Sequence, residues 1–263
     1  MKKLFLNFAI VMLLPVMAAQ VSGQQQSMKK PPDSKKEKTV TNPDNTLSGK
    51  EMKQGWKLLF DGKTSTVWMN PMTKKFPENG WEIIDGVLSV NPKTKKQGGG
   101  GDIVTDRTYR NFDLKVDFKY TPGANSGIKY FVDIESKNGS LAGIGCEYQV
   151  LDDKLHPDAK LGKNGDRTMG GLYDLIPPKP KIDNGANNWN SAEIIVRGNK
   201  VQHWLNGQLT VEYERGNDAW RALVATSKFK DSPGFGEVQD GRILLQDHGN
   251  LVYYKNIKIK ELK

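Results

Sequence analysis

Apolar and polar residues alternate along most of this chain with the period of a β-strand. Over 111–120, Phe112, Leu114, Val116 and Phe118 fall on one face, and Asp113, Lys115, Asp117 and Lys119 on the other. A period of two marks a half-exposed antiparallel strand. Trp81–Ile84 and Val87–Val90 flank Asp85-Gly86, a pair that tolerates the positive φ of a tight hairpin. A further strand is expected over 127–134. Three more, over 192–197, Lys200–Leu205 and 208–213, are joined by Gly198-Asn199 and Asn206-Gly207. Segments 241–246 and 251–262 close the chain. Helical periodicity is scarce. Many strands with regular turn signals predict an all-β fold, an antiparallel sandwich or jelly roll.

Two loops interrupt the strands. Gln97-Gly98-Gly99-Gly100-Gly101-Asp102 lacks the Gly-Lys-Ser/Thr ending of a phosphate loop, so its glycines imply mobility or close ligand approach, not nucleotide binding. The loop over 156–188 contains Pro177-Pro178-Lys179-Pro180. Long ordered loops in compact domains are often functional.

The N-terminus changes the domain picture. Lys2-Lys3 precedes an apolar run from Leu4 to Met17, and Val21-Ser22-Gly23 offers small residues for cleavage. This is the pattern of a signal peptide over 1–23. A membrane span needs roughly 20 apolar residues, so no stable membrane insertion is expected after cleavage, and the protein is expected to be secreted or periplasmic. Residues 24–46 are rich in Lys, Pro, Asp and Asn and read as a disordered linker. Residues 47–263 suit one domain. Much of the net charge of +9 lies in the signal segment and linker, which leaves the body only mildly basic. In Ile257-Lys258-Ile259-Lys260 the lysines alternate with apolar residues, as on a solvated strand face, which argues against a nucleic-acid partner. The single cysteine, Cys146, allows no internal disulfide and reads as a core residue. Nothing in the sequence fixes an oligomeric state.

Candidate chemistry centres on Glu147-Tyr148-Gln149-Val150-Leu151-Asp152-Asp153. Successive strand side chains point to opposite faces, so Glu147 and Gln149 share one face, and Tyr148 and Val150 the other. A carboxylate and an amide on an open sheet face suit a polar ligand. Two later segments supply histidines, Val201-Gln202-His203-Trp204-Leu205-Asn206-Gly207 and Leu245-Gln246-Asp247-His248-Gly249.

Several segments occur in a telling order. They are Gly55-Trp56-Lys57-Leu58-Leu59-Phe60-Asp61-Gly62-Lys63, Tyr120-Thr121-Pro122-Gly123-Ala124-Asn125-Ser126-Gly127-Ile128, the Glu147 strand, Gly171-Leu172-Tyr173-Asp174, His203-Trp204-Leu205-Asn206-Gly207, and the His248 segment with Asn256-Ile257-Lys258-Ile259-Lys260-Glu261-Leu262. Together they resemble the 3-keto-disaccharide hydrolase domain family, which adopts a concanavalin A-like lectin/glucanase jelly roll. The resemblance runs from about Gly55 to the C-terminus. It implies a hydrolase that handles sugars oxidised at carbon 3, with carbohydrate as the partner.

Jelly-roll glucanases commonly carry Glu-x-Asp-x-x-Glu on one strand, and retention needs two carboxyl groups about 5–5.5 Å apart. Here the motif reads Glu147-x-Gln149-x-x-Asp152, and Gln149 cannot ionise. A 3-keto sugar needs a different set. The ketone acidifies the hydrogen on carbon 2, so one base, one acid and donors at the enolate oxygen suffice for elimination followed by hydration. Glu147, His203 and His248 are the catalytic candidates. For His203, between Val201 and Leu205, a satisfied core imidazole is the even alternative. Gln149, Asn125, Ser126, Tyr173, Gln246 and Lys255 are the substrate-binding candidates. No cofactor is certain. A divalent cation is compatible with the route, and Asp152 and Asp153 are its candidate ligands, although an Asp pair after a strand more often caps a turn. A non-catalytic lectin-like module using the same face is the rival reading.

Overall fold

The computed structural model describes residues 43–94, 100–134, 143–180 and 182–263. The signal-peptide reading of 1–23, most of the linker over 24–46, and residues 97–99 of the glycine-rich stretch lie outside the described residues.

The strands in chain order are β1 (Trp56–Leu58), β2 (Trp68–Met69), β3 (Trp81–Ile84), β4 (Val87–Val90), β5 (Ile103–Thr105), β6 (Phe112–Tyr120), β7 (Asn125–Asp133), β8 (Ile144–Leu151), β9 (Asn190–Arg197), β10 (Lys200–Leu205), β11 (Gln208–Glu214), β12 (Arg242–Leu245) and β13 (Val252–Glu261). Among the described residues they form two antiparallel sheets. The eight-stranded sheet runs β11-β10-β9-β6-β13-β4-β3, with β1 added on β13; the five-stranded sheet runs β2-β5-β12-β7-β8. This is the all-β jelly-roll sandwich of the concanavalin A-like lectin/glucanase type that the motifs implied.

The alternation drives the packing. Phe112, Leu114, Val116 and Phe118 of β6 point inward and meet Ile128, Tyr130, Tyr148 and Val150 from the opposite sheet in one core. Burying a side chain of this size stabilises by about 1.5–3 kcal/mol. At the β3–β4 turn, Asp85 and Gly86 both take positive φ, 51° and 76°, which matches the strand twist of a two-residue hairpin.

Among the described residues, two short α-helices escaped the period-two reading. Helix α1 (Gly49–Lys53) starts with a capping box in which Ser48 and Glu51 bond reciprocally. Helix α2 (Asp218–Ala225) is capped by Asn217, whose side chain accepts from the Trp220 amide. The last residues of the segment read as linker are ordered on the body. Asn45 is buried, its backbone N–H donates to Asn256 Oδ1 at 2.6 Å, and its Nδ2 donates to the Gly86 carbonyl. No helix among the described residues is long and apolar enough to cross a membrane.

Residues 170–173 of the long loop lie along the outer edge of β8. The Gly170 amide donates to the Gln149 carbonyl, the Gln149 amide to Gly171, and the Tyr173 amide to Glu147. This irregular pairing sets Tyr173 beside Glu147.

Candidate active site

The site lies on the outward face of the five-stranded sheet. In an antiparallel pair, directly opposed residues share a face. Lys129 opposes Glu147, and Gly127 opposes Gln149. The Gln246 amide donates to the Gly127 carbonyl, which puts Gln246 across from Glu147 on the other side of β7. A cavity of about 190 Å³ opens here. Asn125 and Lys129 line it from β7, and Glu147 and Gln149 from β8. Gln246 and His248 come from the segment after β12, Asp158 and Tyr173 from the long loop, and Lys228 and Phe229 from the turn after α2.

Gly127 keeps the cavity floor open. A Cβ there would sit 2.3 Å from Gln246 Oε1 and 2.6 Å from Glu147 Oε1.

Glu147 is buried at 6% exposure. Burial pushes its carboxyl up to about 7, while the Lys129 and Lys228 ammonium groups oppose the rise. Gln246 Nε2 donates to Glu147 Oε2 at 3.3 Å, and Lys129 Nζ lies 3.8 Å from the same oxygen. Gln246 Oε1 and Asn125 Oδ1 are buried acceptors without a hydrogen-bond donor among the described residues. Such atoms suit ligand hydroxyls, because leaving them unmet costs about 1–3 kcal/mol each. The His248 side chain reaches solvent at the rim, yet the atoms crowded around it lower its pKa, with Asp102 pulling the other way. Gly101 and Asp102, at the end of the glycine-rich stretch, bond Asp247 beside it: the Gly101 amide donates to Asp247 Oδ2, and Asp102 Oδ1 accepts the Asp247 amide.

Asp158, Tyr173 and Lys228 line the groove from the loops, and Arg167 braces them. Arg167 Nη1 donates to Asp158 Oδ1 at 2.9 Å and its Nε to Asp174 Oδ1 at 2.5 Å. Asp174 Oδ2 accepts the Lys228 backbone amide at 2.7 Å. The Arg167 guanidinium and Lys228 ammonium lie 5.3 and 4.1 Å from the Tyr173 ring centroid.

Six of the sequence candidates therefore line one groove: Glu147, Gln149, Asn125, Tyr173, Gln246 and His248. Gln149 is also used structurally, its Oε1 accepting from the Val150 amide. The others lie elsewhere. His203 is a core residue with no exposed surface. Its Nε2 lies 2.7 Å from the Tyr130 hydroxyl, and burial drives its pKa down to about 3. It is a neutral imidazole between the sheets, outside the groove. Ser126 points inward and bonds the Gln246 carbonyl and the Tyr254 hydroxyl. Lys255 lies on β13 in the other sheet and pairs with Asp44 at 2.7 Å. Asp152 caps a turn, accepting from the Gly123, Lys154 and Leu155 amides, and Asp153 accepts from the Met169 amide. No three His, Cys, Asp or Glu side chains converge as a metal-ligand set among the described residues.

Lys129, Asp158, Lys228 and Phe229 were missed. Lys129 carries a usable signal, since it shares a β7 face with Asn125. Asp158 stands in a single 3₁₀ turn over Pro157–Lys160, and Lys228 and Phe229 in an irregular turn, none of which gives a periodic cue.

A family model described as a 3-keto-alpha-glucoside-1,2-lyase-like domain matches residues 55–260. A 3-keto-disaccharide hydrolase of Bacteroides thetaiotaomicron is 32% identical to this chain, in an alignment covering 100% of both. A crystal structure from Parabacteroides distasonis, of a protein provisionally described as a glycosyl hydrolase, is 33% identical with a TM-score of 0.73, covering 84% of this chain and 100% of that one. A second from the same organism and with the same description is 27% identical with a TM-score of 0.57, covering 79% and 99%.

Proposed function

Because this chain belongs to the family of 3-keto-alpha-glucoside-1,2-lyase-like domains, we propose that it is a hydrolase of 3-keto-glycosides, 3-keto-disaccharides among them. The observation that carries the reading is Glu147, a buried carboxyl whose pKa is pushed up to about 7 at the floor of a polar groove. A base poised near neutrality is what removal of a weakly acidic C–H hydrogen needs. Ordinary retaining hydrolysis is disfavoured by the same floor. The residue two along from Glu147 on its face is Gln149, and the other carboxylate lining the cavity, Asp158, is held by Arg167.

The route is elimination followed by hydration. Glu147 takes the proton from carbon 2, and the electron pair passes into the ketone to give an enolate. The enolate reforms the carbonyl, a double bond forms between carbons 1 and 2, and the bond from carbon 1 to the glycosidic oxygen breaks. His248, kept neutral by its lowered pKa, donates a ring proton to the departing oxygen; neutral imidazole serves as such a donor elsewhere. Water then adds its hydroxyl to carbon 1 and returns its proton to His248, while Glu147 returns its proton to carbon 2. The sum is one water consumed and one glycosidic bond cleaved. Asn125 and Gln246 offer acceptors to sugar hydroxyls, and Tyr173 and Phe229 offer ring faces. The apolar N-terminal run supports export.

The test is incubation of the purified protein with 3-keto-trehalose or a 3-keto-glucoside beside the unoxidised parent. Release of 3-ketoglucose from the oxidised sugars alone is expected, and Glu147→Gln is expected to abolish it in a folded protein. Affinity without turnover would overturn the reading in favour of a binding module.

A further inference from the structure

Elimination next to a ketone puts a full negative charge on the carbon-3 oxygen. That charge is stabilised most by a donor already in place before it forms. Lys129 and Lys228 line the groove and Arg167 braces the lining residue Asp158, three cations in all. Two are engaged: Lys129 with Glu147 and with the Gly143 carbonyl, and Arg167 with Asp158 and Asp174. Lys228 is different. Its ammonium makes no ion pair within 4.0 Å among the described residues.

The backbone of Lys228 is nevertheless fixed. Its amide donates to Asp174 Oδ2 at 2.7 Å. The next amide, of Phe229, donates to Ser227 Oγ at 3.0 Å, and that hydroxyl in turn donates to the Val224 carbonyl at the end of α2. The ammonium lies 4.1 Å from the Tyr173 ring centroid and 5.2 Å from that of Phe229. The side chain keeps solvent access at the groove mouth, while the atoms crowded around its charged end lower its pKa. A cation so placed, with its backbone anchored and its charge resting on ring faces rather than on a carboxylate within 4.0 Å, is poised for an anion that the resting site does not contain.

We propose that Lys228 is a catalytic residue whose ammonium receives the oxyanion at carbon 3 while Glu147 takes the proton from carbon 2. The inference rests on the 3-keto-glycoside reading and deepens it. The proton moves from carbon 2 to the Glu147 carboxylate, the C–H pair becomes the carbon 2–carbon 3 double bond, and the former carbonyl pair rests on oxygen as an ion pair with Lys228. A sugar with a hydroxyl at carbon 3 forms no such anion, so the same residue discriminates against unoxidised glycosides.

The experiment measures turnover of a 3-keto-glucoside by wild type, Lys228→Met and Lys228→Arg. In parallel, carbon-2 hydrogen exchange into 3-ketoglucose is followed by NMR in heavy water, which reports proton removal without a leaving group. Met keeps the stem and removes the charge; Arg keeps the charge. Expected is a fall of about 10²–10³-fold in kcat and in exchange for Lys228→Met, with unchanged melting temperature and recovery of at least about tenfold in Lys228→Arg. The acid limb of the pH profile should also move upward in Lys228→Met, because Glu147 loses a neighbour favouring its ionised form. The groups facing Lys228 are Glu147 on β8, Lys129 on β7, and Asp158, Arg167, Tyr173 and Asp174 on the long loop; in both variants they stay in place. Wild-type rates in Lys228→Met, or a loss confined to KM, would overturn the role of Lys228 and leave the proposed function standing. A wild-type protein inert in both assays would instead overturn the function on which it rests.

Discussion

Lys129 and Glu147 face each other directly across β7 and β8, with the ammonium 3.8 Å from the carboxylate. Burial alone would carry the Glu147 carboxyl above its value of about 7, and Lys129 is the larger of the two cationic influences holding it down. As the proposed base, Glu147 works when ionised, so kcat/KM should rise with pH and reach half its plateau near pH 7. Lys129→Met should move that midpoint upward. A profile that is flat from pH 5 to 8 in wild type would show that Glu147 is not the titrating base.

The same carboxyl makes folding pH-dependent. Its folded pKa lies above the ordinary 4.5, so the folded state binds the extra proton between about 4.5 and 7. That stabilisation is complete below pH 4.5 and is lost as pH rises through 7. Glu147→Gln removes the dependence. At pH 8 the variant should be more stable than wild type by on the order of 3 kcal/mol, a gap that closes toward pH 4 in denaturant titrations.

Gly127→Ala should be disproportionately harmful for one methyl group. The new carbon would approach two side-chain oxygens to 2.3 and 2.6 Å, and overpacking of this kind costs about 1–3 kcal/mol. Because the displaced groups are Gln246 and Glu147, turnover should fall further than stability. Parallel measurement of melting temperature and kcat decides the matter.

The two histidines should separate cleanly. His203→Ala empties a core position and takes one of two partners from the Tyr130 hydroxyl, which keeps Tyr213, so a stability loss of about 3 kcal/mol is expected, with kcat retained in whatever fraction folds. His248→Ala, at the rim, should leave the melting temperature unchanged and lower kcat by about 10²-fold or more. The opposite pairing of effects would mean that the imidazoles had been given each other's roles.

Much of the sandwich was readable because alternation reports a strand directly, as in β6, and because Asp85-Gly86 and Asn206-Gly207 admit only a narrow choice of turns. The Glu147–Gln149 face was readable for the same reason. Periodicity assigns a face but does not say whether that face meets core or ligand. Val201, His203 and Leu205 share the core face of β10, so the apolar neighbours of His203 marked it as interior, whereas its residue type suggested chemistry. Ser126 shares its inward face with Ile128. Lys255 could not be excluded from the groove without knowing that β13 belongs to the opposite sheet. Lys228 follows a short helix in a segment with no repeat, and only tertiary pairing with Asp174 brings it to Glu147.

Strand β8 terminates the five-stranded sheet, and the Gly170–Tyr173 stretch satisfies its outer backbone groups. An uncovered terminal strand recruits other chains and seeds aggregation. Trimming this loop to admit bulkier substrates would therefore unmask a self-associating border as well as removing Tyr173. On the proposed function, solubility and turnover depend on the same few residues, and variants of this segment should be screened for monodispersity before their rates are compared.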